Sequence, residues 1–529
     1  MFENQNEMVE NKDFTHDMTY VKEERIPGVR GECAADFTLP DYMGDVKRLL
    51  KFSASASPCN KFVGTDEVSF LGIVTYRVLY LDSEDTLTEA CFTSEYEHAE
   101  RHGVGFVDAD IETKIQNLTV RLQGPRKISA KASLSHDIFV TEEKTLSCEG
   151  VGADTEKKCK TVRIHAAKYV NGTERECAEE IGRLEGVSSD EVEIVKYEAC
   201  ANTVSSHILD SGIELRFEVI MWAIVRIGDE ILKLEKKLPV EDVLTYDGVI
   251  PENATCKGRV YVTGATVNLN NDTSEENSGV GCYASVVMSV TTECSAAVNY
   301  NEECTVICDA FARGCINENT YSTFAYSEML DSMYERKNFV SEIKRSDAGV
   351  GKLHDIIESE AQVKGAKWEI CDDGVRVDSE VVFTVIARDD EGGYVSFKCP
   401  CEYKDIAKVA TVKDKTKLQG TLLVFNPIVT YDTEKIYLSC EICKCLMTEK
   451  MCEERVLVSV KSTPQESEAQ RCVVVYYPED GDTLWSVAKK YSVTPAEIIK
   501  YNSLGDIYSL EREEEYPLDG VGKILIMKN

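Results

Sequence analysis

The sequence predicts a mainly β protein, with three repeated antiparallel β modules followed by a small α+β domain of β-α-α-β order. Three observations predict it. The first is a threefold repeat. Shifting the sequence by 145 residues lays Leu49-Leu50 on Ile194-Val195 and Val68/Phe70/Val74 on Ile213/Leu215/Val219. Shifting by 307 lays the same positions on Ile356-Ile357 and Val375/Val377/Val381, while Ala54 falls on Ala199 and Ala361. No gap is needed over about thirty residues, and long shared spacing with drifting identity marks duplicated folding units. The second observation is alternation. Ile213, Leu215, Phe217, Val219, Met221 and Ala223 face one way, with Glu214, Arg216 and Glu218 on the other, as in a half-buried antiparallel strand. The third is a change of period after residue 471, where helical spacing replaces alternation.

Residues 1–23 are polar and acidic and read as a disordered tail. Module one spans 24–150, module two 151–315 and module three 316–460, with a linker at 461–471. In module one Leu39-Pro40-Asp41-Tyr42-Met43-Gly44-Asp45 reads as a turn, with Asp45 capping a short helix over Val46–Phe52. The strand Val68–Tyr80 follows. Asp82–Asp85, Gly228-Asp229 and Asp389–Gly393 supply a turn at the same place in each copy. Return strands cover Leu87–Phe92, Ile231–Leu238 and Tyr394–Cys399. Each module closes with another strand pair: Lys114–Leu122 with Ile128–Val140, Tyr283–Thr291 with Cys304–Phe311, and Leu422–Tyr431 with Ile436–Leu446. Asn268–Gly279 reads as a loop inside module two. Two packed hairpins and a short helix suffice to bury a core.

The domain at 472–529 starts with a strand over Val473–Tyr477. Leu484, Val487, Ala488 and Tyr491 follow at i, i+3, i+4, i+7, one apolar face of a helix. Thr494-Pro495-Ala496-Glu497 opens a second helix with a capping box and Pro at the first position. Asn502 ends it, and Lys523–Met527 is the second strand.

Net charge is −34, from 93 acidic against 59 basic residues. That argues against nucleic acid and anionic lipid as partners, since both need clustered Lys and Arg. A basic protein partner, or simple solubility, fits the charge. The first residues carry no signal-peptide pattern, and no run reaches the roughly eighteen apolar residues of a membrane span. The 21 cysteines are scattered singly through strand-like sequence, as small buried hydrophobes of a reducing compartment. A cytoplasmic address is expected.

Sharper motifs carry little chemistry. His98-Ala-Glu-Arg-His102 departs from the zincin order and reads as a solvated loop. Cys440, Cys443, Cys445 and Cys452 lack a second Cys pair. On a strand Cys443 and Cys445 share one face while Cys440 takes the other, so strand packing is the reading. No G-x-S-x-G, G-x-x-x-x-G-K-S/T or G-x-G-x-x-G occurs. No catalytic residue, metal or cofactor is expected, and the chain reads as no enzyme.

Two resemblances follow from these residues. Gly481-Asp482-Thr483-Leu484-Trp485-Ser486-Val487-Ala488-Lys489-Lys490-Tyr491, with Val493-Thr494 and Asn502, resembles the LysM domain. Leu39-Pro40-Asp41-Tyr42-Met43, the apolar pair at 49–50 and the repeated hairpins resemble the SPOCS module (DUF3794) of endospore-forming bacteria. Three such modules before a LysM domain resemble a spore coat assembly family, whose members tie coat proteins to a morphogenetic ATPase at the forespore surface in the mother cell. The LysM resemblance implies a shallow ligand groove between two loops, here Gly481, Asp482, Thr483 and Leu484 on one side and Asn502, Ser503 and Leu504 on the other. Trp485 is read as a core or groove-edge aromatic. The implied ligand is either a protein or a peptidoglycan or chitin-like glycan. Residues 472–529 hold ten acids and six bases, a net charge of −4, which favours a basic protein surface.

Overall fold

Alternating sequence over most of the chain gives long antiparallel strands, and their buried faces must be covered by a second sheet. The computed structural model describes residues 15–57, 60–101, 105–276, 279–409, 416–465, 472–504, 516–518 and 520–528. Module one contains β1 (Thr15–Thr38), β2 (Val46–Ala56), β3 (Asn60–Val63), β4 (Glu67–Asp82), β5 (Leu87–Arg101), β6 (Phe106–Gly124) and β7 (Lys127–Glu149). Module two contains β8 (Thr155–Asn171), β9 (Arg175–Glu185), β10 (Val192–Leu209), β11 (Gly212–Ile227), β12 (Glu230–Thr245), β13 (Thr255–Glu276) and β14 (Gly279–Ala312). Module three contains β15 (Cys315–Lys344), β16 (Leu353–Cys371), β17 (Gly374–Asp389), β18 (Tyr394–Ala407), β19 (Thr416–Tyr431) and β20 (Lys435–Pro464).

Each copy is two sheets face to face. One sheet is the meander β2-β4-β5, β10-β11-β12 or β16-β17-β18, with the short β3 also on β4. The other sets β1 and β6 on either side of β7, β15 and β19 on either side of β20, and β13 opposite β8 and β9 on β14. A parallel bridge, Ser459 to Glu149, joins the second sheets of modules one and three. The central strands supply the cores: Phe70, Val74 and Tyr76 against Ile128, Ala130 and Leu134 in module one. Modules two and three repeat this with Leu215, Phe217 and Met221 against Val286 and Met288, and with Val381, Phe383 and Val385 against Leu438 and Ile442. Each such fully buried side chain contributes about 1.5–3 kcal/mol.

The expected helix at Val46–Phe52 is a strand instead, β2, paired with β4. Two register shifts explain the misreading. Leu49 pairs with Tyr80 and Lys51 with Leu79, so Leu50 is an extra, bulged residue. A second shift lies between Val46 and Arg48. Bulges bring Val46, Leu49 and Leu50 to helix-like spacing while the backbone stays extended. The same bulge recurs at Val195 and Ile357. The doublet that revealed the repeat is therefore a conserved kink of three equivalent strands. Asp45 caps nothing helical; its carboxylate accepts from Arg126, whose guanidinium also donates to the carbonyls of Leu39, Pro40 and Met43 and clamps the turn.

The three bulged residues meet. Leu50, Val195 and Ile357 pack together with Leu79, Ile224 and Ile386, the next equivalent set, where the modules converge. One residue on, Lys51 and Lys196 of the first two copies hold Glu358 of the third at 2.5 and 2.9 Å. Equivalent positions of one repeat thus form a buried ion triad.

Other expectations change with the register. Thr15–Glu23, assigned to the tail, lie in β1, where Thr15 pairs with Glu149; residues 1–14 lie outside the described residues. Tyr283–Thr291 and Cys304–Phe311 are not two strands but parts of β14, because the polar residues between them pair with β8, Asn299 opposite Ala167. The partner of β14 is β13, which continues through the polar stretch Asn268–Glu276 expected as a loop; there β13 pairs with Val287–Gly279. Lys461–Pro464 of the expected linker extend β20 against β15, while 466–471 lie outside the described residues. The described cysteines are all free thiols. No helix among the described residues is long and apolar enough to cross a membrane.

Candidate functional site

The last domain has the expected order: β21 (Cys472–Tyr476), α1 (Leu484–Tyr491), α2 (Pro495–Asn502) and β22 (Ile524–Lys528), with β21 and β22 antiparallel. Capping fixes both helix starts. Thr483 Oγ1 accepts from the Ser486 amide at 3.1 Å, and Thr494 Oγ1 accepts from the Glu497 amide at 3.0 Å while Glu497 accepts from the Thr494 amide at 2.9 Å. Both helices stop on a left-handed serine, Ser492 (φ 56°) and Ser503 (φ 54°). Leu484, Val487, Ala488, Ile498, Leu504, Leu518, Ile524 and Ile526 form the core.

The two predicted groove loops are built differently. Gly481 is exposed and has φ +90°, a conformation that favours glycine. Asp482 accepts from the Tyr476 hydroxyl and from the Glu479 amide, and these bonds hold its carboxyl below the usual range. The loop backbone is tied to the segment before β22: the Leu484 amide donates to Tyr516 O at 3.0 Å, and the Leu518 amide to Asp482 O at 2.9 Å. On the other side Asn502 clasps the domain shut. Its amide nitrogen donates to the carbonyls of Ile498 and Leu525, and its oxygen accepts from the Leu525 amide at 2.7 Å. Leu484 and Leu504 point into the core, so Gly481 and Ser503, with the partly exposed Asp482 and Thr483, are the accessible parts of the loops. Residues 505–515, which include most of the acidic run, lie outside the described residues.

Trp485 does something the sequence did not show. Its Nε1–H donates to Asp309 Oδ2 of β14 at 2.8 Å, and its ring stands edge-on to Phe311, 5.2 Å between centroids. Lys489, one turn on, donates to both Asp309 oxygens at 2.7 Å. Asp309 also accepts from Tyr321 and Asn319. Burial would raise its carboxyl, but the bonds from Lys489, Trp485 and Tyr321 outweigh that and lower it. A register shift between Ile307 and Asp309 bulges β14 there. The domain is thus docked on module two through one face of α1. The available signal was a lone acid in the apolar run Val306–Phe311.

The remaining candidates resolve as packing. His98 is not in a solvated loop: it lies in β5, its ring 5.4 Å from Phe70 and 5.5 Å from His136, because the alternation of β5 continues to Arg101. His102 lies outside the described residues. Cys440 is buried in the core of module three, and Cys452 packs near Tyr326 between modules. Cys443 and Cys445 sit with sulfurs 3.8 Å apart, and the bond between them pushes Cys443 up and Cys445 down to about 7.

Comparison with known proteins agrees with the geometry at this end of the chain. The LysM domain family matches residues 479–511. No curated protein and no solved structure matches the chain. The chain carries a LysM domain at its C-terminal end, mounted on a mainly β body.

Proposed function

We propose that the chain is a non-enzymatic adaptor: the triplicated β body holds a LysM domain in place, and that domain binds the partner. The observation that carries this is the docking of α1 by Asp309. A binding element fixed at Trp485 and Lys489 keeps its orientation when loaded, and its other side, with Gly481 and Ser503, remains accessible. Preorganisation of this kind reduces the entropy lost on binding. The net charge of −4 over residues 472–529 favours a partner surface rich in Lys and Arg. With the SPOCS resemblance of the modules, this points to coat assembly at the forespore surface in the mother-cell cytoplasm, with the coat morphogenetic ATPase as partner.

A second reading is peptidoglycan or related N-acetylglucosamine glycan binding, favoured by the LysM match itself. One experiment separates the two. The full chain and its Ser503→Lys variant are tested against purified coat ATPase and against sedimented peptidoglycan. The adaptor reading expects ATPase binding that S503K weakens and no retention on glycan. Retention on glycan that S503K abolishes, without ATPase binding, would establish the second reading instead.

A further inference from the structure

At another junction of the three modules, His165 of β8 is buried between Glu23 of β1 and Glu449 of β20. Nδ1 of His165 lies 2.8 Å from Glu449 Oε1 and 3.5 Å from Glu23 Oε2, and the three atoms all fall within 4.8 Å of one another. The other ring nitrogen, Nε2, faces Asn299 Oδ1 at 3.2 Å. Asn299 Oδ1 is an acceptor, so Nε2 carries the hydrogen and Nδ1 is turned to the carboxylates. Two carboxylate oxygens turned to one ring nitrogen are held there by a shared positive charge, either a proton on Nδ1 or a metal ion.

We propose that this cation is a divalent transition-metal ion, bound by Glu23, His165 and Glu449, so that a single ion ties the three modules together. A proton on Nδ1 serves one acceptor: it reaches Glu449 but leaves Glu23 Oε2 beyond hydrogen-bond range. An ion serves all three. Metal–ligand distances of about 2.0–2.2 Å put adjacent donors roughly 3 Å apart, against 2.8 and 3.5 Å from Nδ1 to the two carboxylates. The outer partners that orient metal ligands are also in place. Asn299 holds Nε2, the Tyr169 hydroxyl donates to Glu23 Oε1 at 2.6 Å, and Gln419 donates to Glu449 Oε1 at 3.0 Å. Lys417 lies 3.2 Å from the other Glu449 oxygen, Oε2, so Oε1, which also accepts from Gln419, is the oxygen that faces His165. A cavity of about 150 Å³ borders the cluster at Glu23, Tyr169, Asn299 and Gln419, though neither His165 nor Glu449 lines it. One imidazole with two carboxylates suits Mn(II), Fe(II) or Zn(II).

Mn(II) is the probe of choice, because the chain's many thiols compete for it poorly. The metal-stripped full chain, titrated with Mn(II), is expected to bind one equivalent. Glu449→Gln and His165→Asn should each weaken binding by roughly tenfold or more. A Cys443→Ser/Cys445→Ser control should bind as the parent does. Should the ligand variants fail to fold, Mn(II) added to the parent chain labelled at histidine is expected to broaden the His165 ring signals before those of the other six histidines. Absence of a stoichiometric ion, an affinity in both ligand variants equal to the parent's, or indiscriminate broadening would overturn the proposal and leave His165 as an imidazolium.

Discussion

Asp309 shows how one side chain can connect two folding units. It gathers an indole N–H, an ammonium, a phenol and an amide on two oxygens, and it is placed by a bulge in β14. Replacement by Asn keeps the shape but removes the charge that Lys489 faces. Losing a charged hydrogen-bond acceptor costs about 1–3 kcal/mol, here against docking and not against the fold of either unit. Asp309→Asn is therefore expected to speed exchange of the Trp485 indole hydrogen with solvent while the Asn502 clasp and its Leu525 amide remain protected. Hydrogen exchange followed by NMR checks this; unchanged Trp485 protection would contradict it. At this scale the sequence was informative about one cap and poor about contacts. Thr494 acts locally, so its role was legible from the three residues that follow it, whereas Asp45, read in the same way, precedes a strand and Thr483 was read only as a groove residue. The partner of Trp485 lies 176 residues away in sequence, and nothing local encodes it.

At the scale of elements, the bulged strand is the device that the repeat preserves. Leu50, Val195 and Ile357 each follow a partly buried apolar residue, and the extra position turns them towards the other modules. Leu50→Ala opens space at that junction and is expected to cost about 2–5 kcal/mol, read by urea unfolding. Deleting Leu50 removes the extra residue and leaves Leu49 opposite Tyr80 and Lys51 opposite Leu79, so the junction contact is lost while the pairing of β2 with β4 is kept. A deletion that moves the pairing of β2 by one residue, read by amide exchange along β4, would contradict the bulge reading. The alternating strands β4, β11 and β17 were legible because their period survives unbroken. The doublets were legible as a repeat and misread as a helix because a bulge interrupts period two and imitates period 3.6. Long strands such as β14 were divided in the reading because a polar stretch can pair as well as turn.

At the scale of the molecule, the triad of Lys51, Lys196 and Glu358 decides how the copies sit together. Burial alone would raise the Glu358 carboxyl, but Lys196 and Lys51 bring it down to about 2. A carboxyl depressed from 4.5 in the unfolded chain stabilises the fold fully above that pH, and the contribution fades as pH falls towards 2. The amount is about 3 kcal/mol. Acid unfolding of the parent and of Glu358→Gln checks it. The variant leaves Lys51 to Glu360 and Lys196 to Glu89 and Glu198, and is expected to be less stable by about 3 kcal/mol at neutral pH and to lose less between pH 4.5 and 2. Parallel acid curves would contradict this. None of the triad's geometry was readable in advance, although the offsets of 145 and 307 already placed the three residues at one position of the repeat.

The central claim is the proposed adaptor role, in which the body holds a LysM domain that binds a coat protein. The most direct measurement is the affinity of the full chain for the purified coat ATPase, repeated with the chain ended before Cys472. The account predicts saturable binding by the full chain and none by the shortened one. Equal binding by both chains, or no binding by either, would contradict it.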